Sequence, residues 1–121
     1  MAAEALGCSI AQIAKSIVFV NGEAVVVVIS GDKKVDLKKL SRLLEKKMRI
    51  ADADTVRKST GYVIGGVPPF PHDEGVRVII DSSLQRFDEV WAAAGTPHSV
   101  MKLSIGTLMQ ILGDEFVDVA L

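Results

Sequence analysis

Hydrophobic and polar positions fall into blocks whose period changes along the chain. Lys15–Val20 and Ala24–Ser30 are β-branched runs joined by Asn21-Gly22, which predicts a hairpin whose loop Glu23 can extend. Over Asp36–Met48 the period becomes helical. Advancing ~100° per residue places Leu37, Leu40, Leu43, Leu44 and Met48 on one face and Lys38, Lys39, Arg42 and Lys46 on the other. Met48–Ala51 then reads as a short strand, and Asp52–Ser59 as a helix whose N-terminus is favoured by its acids. Arg77–Asp81, Glu89–Ala93 and Ser99–Leu103 predict strands, Ser104 caps a helix through Leu112 that Gly113 ends, and Glu115–Ala120 predicts a last strand. Ahead of the hairpin, Ala2–Leu6 has helical propensity, with Gly7 a C-cap and Ser9 the N-cap of a short turn through Ala14. Strands outnumber helices without a regular βαβ alternation, so the expected fold is α+β with a mixed sheet and flanking helices.

Two segments break these patterns, Gly65-Gly66-Val67-Pro68-Pro69-Phe70-Pro71-His72 and Gly95-Thr96-Pro97-His98. Glycine admits close backbone approach and proline freezes φ, and each segment ends in one of the chain's two histidines. A lysine in an apolar run, Lys15 within Ile13–Val20, adds a third polar element. The three are candidates for the walls of one site.

Composition narrows the class. With 121 residues and 49% hydrophobic content the chain reads as one domain over residues 1–121. No apolar run approaches the roughly 20 residues of a membrane span and no basic-then-apolar leader is visible, so a cytoplasmic protein without membrane contact is expected. The lone Cys8 fits a reducing compartment and reads as a small buried hydrophobe. No Cys/His cluster has metal-ligand spacing, so neither a metal nor another cofactor is expected. Net charge is −1, but residues 33–58 carry ten of the fourteen Lys and Arg against four acids, whereas 73–121 carry three against eight. The stripe of Lys38, Lys39, Arg42 and Lys46 is open to two readings, a solvated helix face or a surface that follows phosphates.

Four ordered motifs carry a resemblance: Ile13-Ala14-Lys15-Ser16; Ser30-Gly31-Asp32 with Val35-Asp36; Thr60-Gly61-Tyr62 leading into Gly65–Phe70; and Val90–His98. Together, and nearly end to end, the chain resembles the YbaK/EbsC family, which is itself similar to the editing domain of bacterial prolyl-tRNA synthetases. The resemblance implies a largely antiparallel sheet curled into a partial barrel. It also implies an aminoacyl-tRNA deacylase that removes a small non-cognate amino acid, most often from tRNA(Pro). Two departures stand out. Relatives usually begin with a further helix and strand, so the chain looks shortened at its N-terminus, and Pro71 stands where glycine is frequent.

By the same resemblance Lys15 matches the lysine on which family activity depends, holding the terminal phosphate or the developing negative charge. The other reading of Lys15 is a strand-edge lysine whose stem is buried. Gly95 and His98, with Thr96 and Pro97, match the loop facing the scissile carbonyl, though His98 also fits a surface strand start. Gly65, Gly66, Pro68, Pro69 and Phe70 match the loop bordering the amino-acid pocket, or simply form a rigid turn. An aminoacyl ester is already activated, so its hydrolysis asks for a positioned water and stabilised charge rather than a strong nucleophile. The implied partners are mischarged tRNA, bound through Lys38, Lys39, Arg42 and Lys46, and prolyl-tRNA synthetase. A shortened sheet would leave an open edge, from which a homodimer is expected. A non-catalytic tRNA-binding or synthetase-associated module is the alternative, and Lys15 discriminates the two.

Overall fold

The computed structural model describes residues 10–69, 76–96, 98–112 and 116–121. A 3-10 turn at Ile10–Gln12 leads into the hairpin of β1 (Ile13–Asn21) and β2 (Glu23–Ser30), with Gly22 as the turn residue and Asn21 paired to Glu23. Glu23 therefore starts β2 instead of extending the loop. The chain continues through α1 (Leu37–Leu44), β3 (Arg49–Ile50), α2 (Ala53–Thr60), β4 (Val76–Asp81), a 3-10 turn at Ser82–Arg86, β5 (Glu89–Ala93), β6 (Val100–Ser104), α3 (Ile105–Leu112) and β7 (Phe116–Val117). Among the described residues no helix is long and apolar enough to cross a membrane.

The strands form one open sheet in the order β6-β5-β1-β2-β4-β7, with β3 added to β1. The long pairings β1–β2 and β5–β6 and the short β1–β3 pairing are antiparallel, while β1–β5, β2–β4 and β4–β7 are parallel. This is the expected mixed and mostly antiparallel sheet.

Alternation along β1 and β2 sends side chains to two cores. Val18, Val26 and Val28 face a cluster completed by Val56, Leu84 and Leu108, whereas Phe19, Val27 and Ile29 face one closed by Leu40 and Met48. Val26, Val27 and Val28 are all fully buried, so β2 is covered on both faces, and each such valine contributes about 1.5–3 kcal/mol of burial.

Helix ends follow local chemistry. Asp36 caps α1, accepting from the Lys38 and Lys39 amides, Asp52 caps α2 through the Thr55 amide, and Ser104 Oγ accepts from Thr107 N–H at α3. The helix expected to reach Met48 stops at Leu44. Glu45 takes a left-handed conformation (φ 56°), and Ser41 Oγ accepts from the Met48 amide, which turns the chain toward β3. Lys46 consequently lies beyond the helix. The last strand is also shorter than expected, Phe116–Val117, with Ala120 bridged to Val35. The expectations at Ala2–Leu6, Gly7, Cys8, Ser9, Phe70, Pro71, His72, Pro97, Gly113 and Glu115 lie outside the described residues.

Candidate functional site

The outer edge of β1 is interrupted. β5 pairs with it at Ile13 and Ala14, β3 pairs at Phe19 and Val20, and no strand pairs with Lys15–Val18 on that side. A cleft occupies the gap in two lobes that share Lys15, Ser16, Gly65 and Val67. The larger, about 310 Å³, is walled by Val18, Ile50, Ala51, Val56 and Ile64 and is almost wholly apolar. The smaller, about 160 Å³, is walled by Ile13, Trp91, Ala93, Ser99 and Val100.

Lys15 thus sits where the lobes meet. It is in register with Ile29, on the face away from Ser16, and lines both lobes along the open edge. Partial burial, reinforced by the nearby Lys34 charge, pulls its ammonium pKa below the ordinary lysine value, with Asp32 opposing. Asp32 does not neutralise it. Its carboxylate is gripped by Arg86, at 2.8 and 3.3 Å, and lies 2.8 Å from Ser30 Oγ, contacts that hold its pKa down at about 2. Among the described residues Lys15 has no ion-pair partner. Gly31 explains the Ser30-Gly31-Asp32 motif: a Cβ there would run into the Ile10 carbonyl.

The proline-containing loop splits into two roles. Gly65 and Val67 line the cleft, while Gly66, Pro68 and Pro69 are buried behind it and brace the loop. The Gly95 turn meets that loop through Tyr62, whose ring lies 3.5 Å from where a Gly95 Cβ would stand. Gly95 has φ 104°, a conformation that other residues rarely adopt. The turn is tied by the Ala94 amide to the Ser99 carbonyl (2.8 Å) and by Thr96 Oγ1 to Ser99 Oγ (2.8 Å). Neither Gly95, Thr96 nor His98 lines a lobe. His98 is exposed, and it is Ala93, Ser99 and Val100 that face the cleft.

Ser16 received no role from sequence. Its Oγ is buried and, among the described residues, has no hydrogen-bond partner. The signal was its neighbourhood to Lys15, but only the strand pairing shows that this position faces a gap. Ile50 and Ile64, exposed at 63% and 57%, are further cleft residues that periodicity could not single out.

The basic stripe divides. Lys39 is engaged, its Nζ donating to the Ala120 carbonyl (2.7 Å) and to both Asp118 oxygens (3.2 Å). Lys38, Arg42 and Lys46 are exposed. Helix α1 packs through Leu40 on the Phe19–Ile29 core, so the stripe and the cleft lie on opposite sides of the sheet.

Comparison with known proteins agrees with this geometry. The family model described as an aminoacyl-tRNA editing domain matches residues 1–111. The uncharacterized protein YwhH of Bacillus subtilis (strain 168) is 39% identical over 106 residues, covering 85% of this chain and 67% of that protein. EbsC of Enterococcus faecalis, named as a proposed Cys-tRNA(Pro)/Cys-tRNA(Cys) deacylase, is 26% identical over 120 residues, 97% of this chain and 73% of EbsC. The crystal structure of a proposed trans-editing enzyme for prolyl-tRNA synthetase superposes with a TM-score of 0.91 at 37% identity, over 99% of this chain and 77% of that one. Motifs, open sheet and cleft converge with these matches: the chain belongs to the aminoacyl-tRNA editing domain family, a family of deacylases.

Proposed function

We propose that this chain hydrolyses the ester of a mischarged aminoacyl-tRNA in trans, with tRNA(Pro) carrying a small non-cognate amino acid as the substrate. The observation that carries this reading is Lys15, a partly desolvated cation without an ion-pair partner among the described residues, at the junction of an apolar lobe and a second lobe. An unneutralised charge there attracts the terminal phosphate or the oxyanion that develops when water attacks the ester carbonyl. The apolar lobe suits a small aliphatic side chain. Such a sieve has a physical purpose, because one methylene in a pocket built for proline is worth only about 1–3 kcal/mol, too little for strict exclusion of smaller residues. The similarity to EbsC and to the prolyl-tRNA synthetase trans-editing enzyme supports tRNA(Pro) and an association with the synthetase.

Single-turnover deacylation of tRNA(Pro) charged with alanine, cysteine, serine or proline tests the reading. At least one small non-cognate ester should be hydrolysed well above the buffer rate and prolyl-tRNA(Pro) spared. Buffer-level rates throughout would leave a non-catalytic tRNA-binding module.

A further inference from the structure

Backbone direction alternates along β1. The Ile13 carbonyl points inward and accepts from Gly31, whereas the Val18 carbonyl points outward and accepts from Ala51. By that alternation the amide and carbonyl of Ser16 face the unpaired gap. Its hydroxyl is the buried side-chain polar atom without a partner among the described residues, and it lines both lobes. Buried polar groups are almost always hydrogen-bonded, so the Ser16 hydroxyl, beside an amide and a carbonyl that no strand pairs, marks a place where a ligand completes the bonding.

We propose that the esterified amino acid binds as a one-residue strand against the open edge of β1, opposite Ser16. Its α-ammonium donates to the Ser16 carbonyl and to Ser16 Oγ, and its ester carbonyl accepts from the Ser16 amide. The first and last of these are the two bonds of an antiparallel hydrogen-bonded pair, so the substrate occupies the place of the missing strand residue. The four residue steps from Ala14, paired to β5, to Val18, whose carbonyl is taken by Ala51, span about 13 Å, enough for one amino acid. The side chain then points toward Val18, Ala51 and Val56 in the apolar lobe. Recognition falls on the parts every amino acid shares, and the lobe is left to sort side chains by size.

The inference rests on the deacylase reading and adds that a free α-amino group is required. Alanyl-, cysteinyl- and seryl-tRNA(Pro) are each assayed beside their N-acetyl derivatives, which lack the ammonium. Each rate is taken relative to the same ester's hydrolysis in buffer, since acetylation itself slows the ester, and the protein should accelerate the free form at least about tenfold more, the scale of a hydrogen bond to a charged group. Ser16→Ala should shrink that ratio several-fold while its thermal melt stays at or above that of the parent, and Ser16→Thr, which keeps the hydroxyl, should retain the ratio. Equal acceleration of free and acetylated esters over buffer, or a full ratio in a folded Ser16→Ala protein, would overturn the edge pairing and leave the deacylase reading standing. No hydrolysis of either form would overturn the deacylase reading itself.

Discussion

Lys15 and Asp32 show how neighbouring charges take opposite courses. Lys15 loses hydration without gaining a counterion, so its pKa falls. If its charge drives hydrolysis, Lys15→Ala should lower the single-turnover rate by at least about a hundredfold in a protein that melts normally. The parent rate should also decline on the alkaline side below the ordinary lysine pKa of about 10.4. A folded Lys15→Ala protein with parental rates would assign the residue to the strand edge. Asp32 is the reverse case, held at about 2 by Arg86 and Ser30. A depressed folded pKa means that its stabilisation is complete above the unfolded value near 4 and is lost as pH falls toward about 2. Asp32→Asn should therefore flatten the acid limb of the stability–pH profile between those values, measured by chemical denaturation. The Gly95 position works through its backbone. A Cβ would make only ordinary contact with Tyr62, so Gly95→Val acts through the strain of φ 104°, on the order of 1–3 kcal/mol, rather than by filling a lobe.

At the scale of elements, the motifs tie segments together as much as they line a cleft. Asp81, at the end of β4, is fully buried and accepts from the Ser83 amide (2.9 Å) and the Val119 amide (2.8 Å), joining the 3-10 turn to the C-terminal segment. Asp81→Ala leaves two donors unsatisfied and should cost about 3 kcal/mol in a denaturant melt. Helix α1 separates by residue. Lys39 closes onto Asp118 and Ala120, a half-exposed contact worth less than about 1 kcal/mol, whereas Lys38 and Arg42 stand free to meet phosphates. Neutralising Lys38 and Arg42 together should weaken tRNA binding and flatten the slope of log K against log salt by about 1.5, and an unchanged slope would reduce the face to a solvated one. The expected helix from Asp36 to Met48 was right in its start, but of its apolar face only Leu40 is buried within the helix, while Leu37 and Leu43 are exposed at 42% and 40%. Its end was decided by Ser41, whose hydroxyl takes the Met48 amide across seven residues, a contact that side-chain periodicity does not encode.

In the whole molecule the sheet separates two surfaces, α1 with its cations on one side and the cleft on the other. Binding should accordingly come apart from chemistry: the Lys38 and Arg42 variant should hydrolyse a minimal aminoacyl-nucleoside at the parental rate while losing affinity for whole tRNA, and a matching loss on both substrates would contradict that separation. Much of this architecture was legible in the sequence. β-branched runs, a turn dipeptide, a helix cap and a change of period are local properties, so the hairpin, the β5 strand and the Ser104 cap could be read directly, and four ordered motifs named the family. The gap in β1 could not be read that way. It exists because Ile13 and Ala14 meet Trp91 and Ala92 while Phe19 and Val20 meet Ile50 and Arg49 and Ala51 takes the Val18 carbonyl, pairings between segments dozens of residues apart that leave Ser16 facing the gap. For the same reason Ser16 was invisible as a polar floor, Lys39 looked like its neighbours until Asp118 closed on it, and Pro68 and Pro69 looked like lining until burial placed them behind it. Local sequence determined which strands and helices form; which edge stays open, and therefore where a substrate can add itself to the sheet, was decided only when distant segments packed.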